Sequence, residues 1–103
     1  MDVNYCIYHK INTDFWSDTK EFVRDEFEFV ATLYGDFTLD DAYRLTNSID
    51  GYWGDNKECH MMKERCRSTS VGDVIMKVVR FSREDGREYH AVDRCGFSLI
   101  PEK

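Results

Sequence analysis

The chain opens on an alternation. Across Val3-Asn4-Tyr5-Cys6-Ile7-Tyr8-His9-Lys10-Ile11, the residues Val3, Tyr5, Ile7 and Ile11 fall on one side. A period of two in β-branched and aromatic residues predicts a strand. The period then changes: over residues 14–34, apolar positions recur at Trp16, Val23, Phe27, Val30 and Leu33/Tyr34, and Phe22 and Phe29 widen the arc. That spacing, with N-cap candidates at Asn12-Thr13-Asp14 and a glycine at position 35, predicts one long helix. Thr38-Leu39-Asp40-Asp41 has the form of a capping box with Asp in place of Glu, and Leu39, Ala42, Tyr43, Thr46 and Ile49 share the face of a second helix that Gly51 ends. Residues 51–66 hold no sustained period and predict an irregular connection, with room for a short helical turn near 57–62. Residues 74–81 are rich in Val and Ile, Asp85-Gly86 offers a turn dipeptide, and residues 87–93 return, which predicts a β-hairpin. Phe97-Ser98-Leu99-Ile100 forms a last strand before Pro101.

The order β–α–α–β–β–β predicts an α+β fold. A small antiparallel sheet would combine the N-terminal strand with the C-terminal hairpin and last strand, and two helices would pack on one face. One domain would span residues 1–103, with 1–37 supplying a strand and the long helix, and 38–103 the second helix and the hairpin.

Aromatic residues make up 15% of the chain. Each one buried removes on the order of 150–250 Å² from water, which compensates for a short aliphatic list. No apolar run reaches the roughly 20 residues that a membrane helix needs. The start, Met1-Asp2-Val3-Asn4, lacks a secretory pattern, so the expected location is the cytoplasm, with no membrane partner. Thiols stay reduced there, and Cys6, Cys59, Cys66 and Cys95 are read as free.

The net charge of −6 is uneven: residues 1–55 carry 12 Asp/Glu against 4 Lys/Arg, and residues 56–103 carry 8 against 10. The acidic half argues against direct nucleic-acid binding, which depends on neutralising phosphates. On the expected long helix, Asp14, Asp18, Glu21, Asp25 and Glu28 align along one face at roughly 5–6 Å intervals. Such a stripe could imitate a phosphate backbone in the basic groove of another protein, or it could be an ordinary solvated helix face.

Cys59, His60, Cys66 and Cys95 or His90 do not have the compact spacing of a zinc site, and no cofactor or metal is expected. No P-loop, G-x-S-x-G or H-E-x-x-H motif occurs. Cys66 with His90, or Asp73 with Asp93, are catalytic combinations that only folding could assemble, so no catalytic residue is assigned. In the stretch Arg67-Ser68-Thr69-Ser70-Val71-Gly72-Asp73, the hydroxyls can bond neighbouring backbone, Gly72-Asp73 reads as a tight turn, and Arg67 has Asp50, Asp73 or Asp93 as partners. This block is either scaffold or, with Asn47, Asp50, Trp53, Arg67 and Ser68, the lining of a ligand pocket.

Thr46-Asn47-Ser48-Ile49-Asp50-Gly51-Tyr52-Trp53, then Asn56, then Arg67 to Ile75, then Tyr89, Asp93 and Gly96-Phe97, resembles a recurring block of small bacteriophage and mobile-element proteins. Its C-terminal part is similar to YodL-like modules. The resemblance covers about half the chain and implies a biological setting, including the cytoplasm of a bacterial host, without catalytic residues. The expected function is non-catalytic protein binding, in its most specific form an acidic DNA mimic that inhibits a host nucleic-acid-binding or defence enzyme. A small-molecule or nucleotide-binding domain with its pocket near Trp53 and Arg67 is the alternative, and an orphan enzyme is the third.

Overall fold

The computed structural model describes residues 3–11, 19–35, 38–47, 52–64, 66–80, 85–94 and 96–102. They build a six-stranded, wholly antiparallel sheet: β1 (Val3–Lys10), β2 (Phe27–Gly35), β3 (Cys59–Met61), β4 (Val74–Arg80), β5 (Asp85–Asp93) and β6 (Gly96–Ile100). The strand order is β3-β2-β1-β4-β5-β6. One α-helix, α1 (Leu39–Leu45), and two 3-10 turns, Arg24–Glu26 and Trp53–Asp55, complete the described elements.

The expected pair of helices on one face is therefore corrected. Phe27–Gly35 is a strand, and the preceding described residues form a bend and a 3-10 turn. A β-bulge explains the misleading spacing. Ile7 faces Ala31 and Tyr8 faces Phe29, which leaves Val30 as an extra residue. Val30 and Ala31 consequently both enter the same core cluster, beside Leu33. The bulge breaks the period of two and leaves apolar residues three apart, which mimics one side of a helix.

The capping signal at Thr38 is consistent with the fold. Thr38 accepts the Asp41 backbone N–H, and the Asp41 carboxylate accepts that of Thr38, so the capping box starts α1. Ile49 and Gly51 lie outside the described residues. The Asp85-Gly86 dipeptide does not form the hairpin turn, because both residues sit in the β4–β5 ladder opposite Arg80 and Val79. The expected irregular connection instead holds a 3-10 turn and β3, which pairs along β2.

Both faces of the sheet are covered. On one, Tyr5, Ile7, Ala31, Leu33, Ile75 and Val92 pack with Ala42 of α1 and Trp53. On the other, Phe22 crosses the strands, stacks on Tyr89 at 4.3 Å and meets Phe27, Val74, Met76 and Ile100. An aromatic plug thus covers this face with almost no regular structure. No helix of the described residues is long and apolar enough to cross a membrane.

Candidate functional site

The segment from Cys66 to Asp73 crosses the end of the sheet and is pinned at several points. Trp53, 1% exposed, donates its indole N–H to the carbonyls of Cys66 (3.2 Å) and Arg67 (2.9 Å). The Cys66 N–H donates to the Tyr52 hydroxyl at 2.8 Å, and the Thr69 N–H donates to the Thr46 carbonyl at 3.0 Å. The Asp73 N–H closes a turn onto the Ser70 carbonyl, and Gly72, at φ 95°, takes the left-handed conformation that a side chain disfavours.

Asp73 is the centre of this segment. Its carboxylate is 1% exposed and accepts the backbone N–H groups of Lys10 and Ser70, each at 2.8 Å. Arg67 grips it with both terminal nitrogens, at 2.6 and 2.8 Å. The same guanidinium donates to the carbonyls of Ser68 and Lys10 and to the Ser70 hydroxyl. Of the three acidic partners open to Arg67 in the sequence, the structure joins it to Asp73; Asp50 lies outside the described residues, and Asp93 accepts from the Ser98 hydroxyl. The bidentate bond to Asp73 holds the Arg67 pKa above its ordinary value.

His9 lies beneath this knot, 4% exposed, with Nε2 3.0 Å from the Thr69 hydroxyl and 3.9 Å from Asp73 Oδ2. Burial pushes the imidazole pKa down to about 4, against the upward pull of the Asp73 charge. The trio is not a nucleophile–base–acid relay. A relay uses both ring nitrogens, one for each partner, whereas here both contacts converge on Nε2, and Thr69 is 1% exposed.

Above the knot opens a cleft of about 320 Å³. His9, Glu28, Val30, Lys63, Cys66 and Arg67 line it, and Lys10 and Ile11 close its β1 end. Glu28 stands directly across from His9 in the β1–β2 ladder and forms an ion pair with Lys63. Among the described residues the cleft brings together the cationic side chains of Lys10, Lys63 and Arg67, with Glu28 and the buried Asp73 beside them, in a chain whose net charge is −6. The Arg67 side chain is 40% exposed on this wall. Burial raises the Cys66 thiol pKa, Lys63 lowers it and Glu28 raises it, so the net shift is toward the protonated thiol.

The residues expected to carry function are dispersed. Asn47 donates its carboxamide to the Tyr43 carbonyl at the end of α1, and Trp53 is an anchor in the core. Ser68 is half-buried, and among the expected pocket residues that are described only Arg67 lines the cleft. The acidic stripe has no helix to carry it: Glu21 sits in a bend, Asp25 in a 3-10 turn and Glu28 in β2, while Asp14 and Asp18 lie outside the described residues. Cys59 and His60 are adjacent in β3 and point to opposite faces, Cys59 into the core and His60 against Tyr34. His90 contacts Glu88 rather than lining the cleft with Cys66. Sequence reasoning missed His9, Lys63 and their grouping with Glu28. For His9 one signal existed, an in-phase position on the buried side of β1.

Comparison with known proteins gives no matching family model, no matching curated protein and no matching solved structure.

Proposed function

We propose that this protein is a non-catalytic binding domain that takes a small anionic molecule, such as a phosphate ester, in the cleft beside Arg67. The observation that carries the reading is a concave site whose described lining brings together Lys10, Lys63 and Arg67 on an acidic protein. The terminal N–H groups of Arg67 are already engaged by Asp73, Ser68, Ser70 and Lys10, so Arg67 contributes a fixed positive charge and Lys63 supplies the donor to the anion. Val30 and Ile11 supply an apolar wall, and the volume lies at the small end of ordinary ligand pockets, on the order of 300 Å³ and upward.

Isothermal titration with inorganic phosphate, pyrophosphate and adenosine monophosphate at constant ionic strength tests it. At least one probe should bind, and Lys63→Ala should weaken that binding several-fold while circular dichroism stays unchanged. No binding by any probe, or binding indifferent to Lys63→Ala, would overturn the reading.

A second reading, protein binding by a mobile-element product that occupies a basic groove, is favoured by the exposed carboxylates Glu21, Asp25 and Glu26 and by the net charge of −6. It predicts that Glu21→Lys with Asp25→Lys abolishes salt-sensitive capture of a DNA-handling protein from host lysate. Capture unaffected by the double change would count against it.

A further inference from the structure

His9 lines the cleft with an imidazole that is only 5% exposed. The charged groups that act on it are Asp73 and Arg67, from the loop before β4, and Glu28, from β2. Lys10, Lys63 and the protonated Cys66 thiol line the same cleft, and Trp53 brings an uncharged ring 6.1 Å from the imidazole. Both carboxylates are already matched to a cation. Glu28 pairs with Lys63. Asp73 pairs with Arg67, and its acceptor positions are filled: the Lys10 N–H and one Arg67 nitrogen on Oδ1, the Ser70 N–H and the other Arg67 nitrogen on Oδ2. A carboxylate offers about four such positions. His9 Nε2 stands 3.9 Å from Oδ2, and its nearer partner, the Thr69 hydroxyl at 3.0 Å, is neutral. A proton on His9 therefore adds a buried positive charge that neither carboxylate is left to balance. Burial outweighs the pull of Asp73 and holds the His9 pKa at about 4.

We propose that anion binding in the cleft is coupled to a proton: a bound anion supplies the counter-charge that His9 lacks, so His9 gains a proton as the anion enters. This inference rests on the anion-binding reading and adds the regulation of that site. Linkage makes the coupling reciprocal. Whatever factor the anion contributes to protonation of His9, protonation contributes to the affinity for the anion. In mildly alkaline solution His9 is neutral whether the cleft is empty or full. As pH falls the occupied form protonates first, because its His9 pKa is the higher of the two, and affinity climbs by up to about tenfold per pH unit. Below about 4 the empty form is protonated as well, and the gain levels off.

Sulfate is the probe for the test, because its own charge is constant across the window. Ring-proton NMR of the full chain, titrated with acid in the absence and presence of saturating sulfate, follows His9 apart from His60 and His90. The expected result is a His9 midpoint near 4 without sulfate and at least about one pH unit higher with it, a coupling of tenfold or more. Isothermal titration reads the other side of the cycle. Sulfate affinity should rise by about tenfold more in the wild type than in His9→Gln between about pH 7.5 and about pH 4.5. The general loss of negative charge in acid is common to both proteins, so the difference belongs to His9. Glu28→Gln, which removes the other carboxylate facing the imidazole, should keep the His9 shift. Circular dichroism checks that each protein stays folded at the lowest pH used. Sulfate that binds without moving the His9 midpoint would overturn the coupling and leave the anion reading standing. Sulfate that fails to bind at any pH would overturn it as well, and the phosphate titrations then decide the anion reading separately.

Discussion

Asp73 accepts two backbone N–H groups and both terminal nitrogens of Arg67 while 1% exposed. Removing its carboxylate therefore costs more than the ion pair, because the N–H groups of Lys10 and Ser70 also lose their acceptor. Asp73→Ala should destabilise the fold by about 3 kcal/mol, measured by urea denaturation. His9 gives a pH dependence of definite sign. The unfolded imidazole takes up its proton near 6.5, whereas the folded one resists until about 4. Between those values the unfolded state binds more protons, so this contribution to stability is full above 6.5, falls with pH, and levels off below about 4. The loss is on the order of 3 kcal/mol. His9→Asn, which does not titrate, should flatten the slope in that window, as read from denaturation midpoints at successive pH values.

At the scale of elements, α1 has seven residues, too short to hold by propensity, and depends on its cap and on packing. Thr38→Ala should cost about 1 kcal/mol, measured by thermal melting. Trp53 acts in two ways. Its ring fills the core, and its N–H fixes the segment that presents Arg67. Trp53→Phe keeps most of the apolar volume and strands two carbonyls. A loss of about 1–2 kcal/mol is expected, together with weaker binding of whichever anion the wild type takes. Loss of stability with unchanged binding would show that the indole does not position the cleft. β2 is the element that sequence reasoning misread. Its bulge at Val30 places consecutive residues on one face, and no local property of Phe27–Gly35 announces that, since a bulge is defined by the strand opposite.

On the scale of the whole molecule, charge is segregated. The chain is acidic, yet the described lining of the cleft gathers Lys10 from β1, Lys63 from the residues after β3 and Arg67 from the loop before β4. Long-range repulsion of anions by the remainder of the surface is screened by salt, whereas the contacts inside the cleft are short. Moderate salt should therefore weaken anion affinity less than a uniformly basic site would suffer, as seen in titrations at successive ionic strengths. Covering both sheet faces with one short helix and a crossing aromatic segment concentrates the second core on Phe22, which is 1% exposed and touches Tyr8, Phe27 and Tyr89.

By itself the sequence determined the features whose causes are local. The alternation of β1, the capping of α1, the last strand and the Gly72-Asp73 turn each follow from neighbours a few residues apart, and backbone sterics and short hydrogen bonds act at that range. The tertiary structure decided the rest. β2 became a strand because β1 and β3 were there to pair with it. Arg67 selected Asp73, and His9, Glu28, Lys63 and Cys66 met at one cleft because the sheet order brings β1 between β2 and β4. Residues so far apart in the chain share no local pattern; only the pairing of strands gives them a common place.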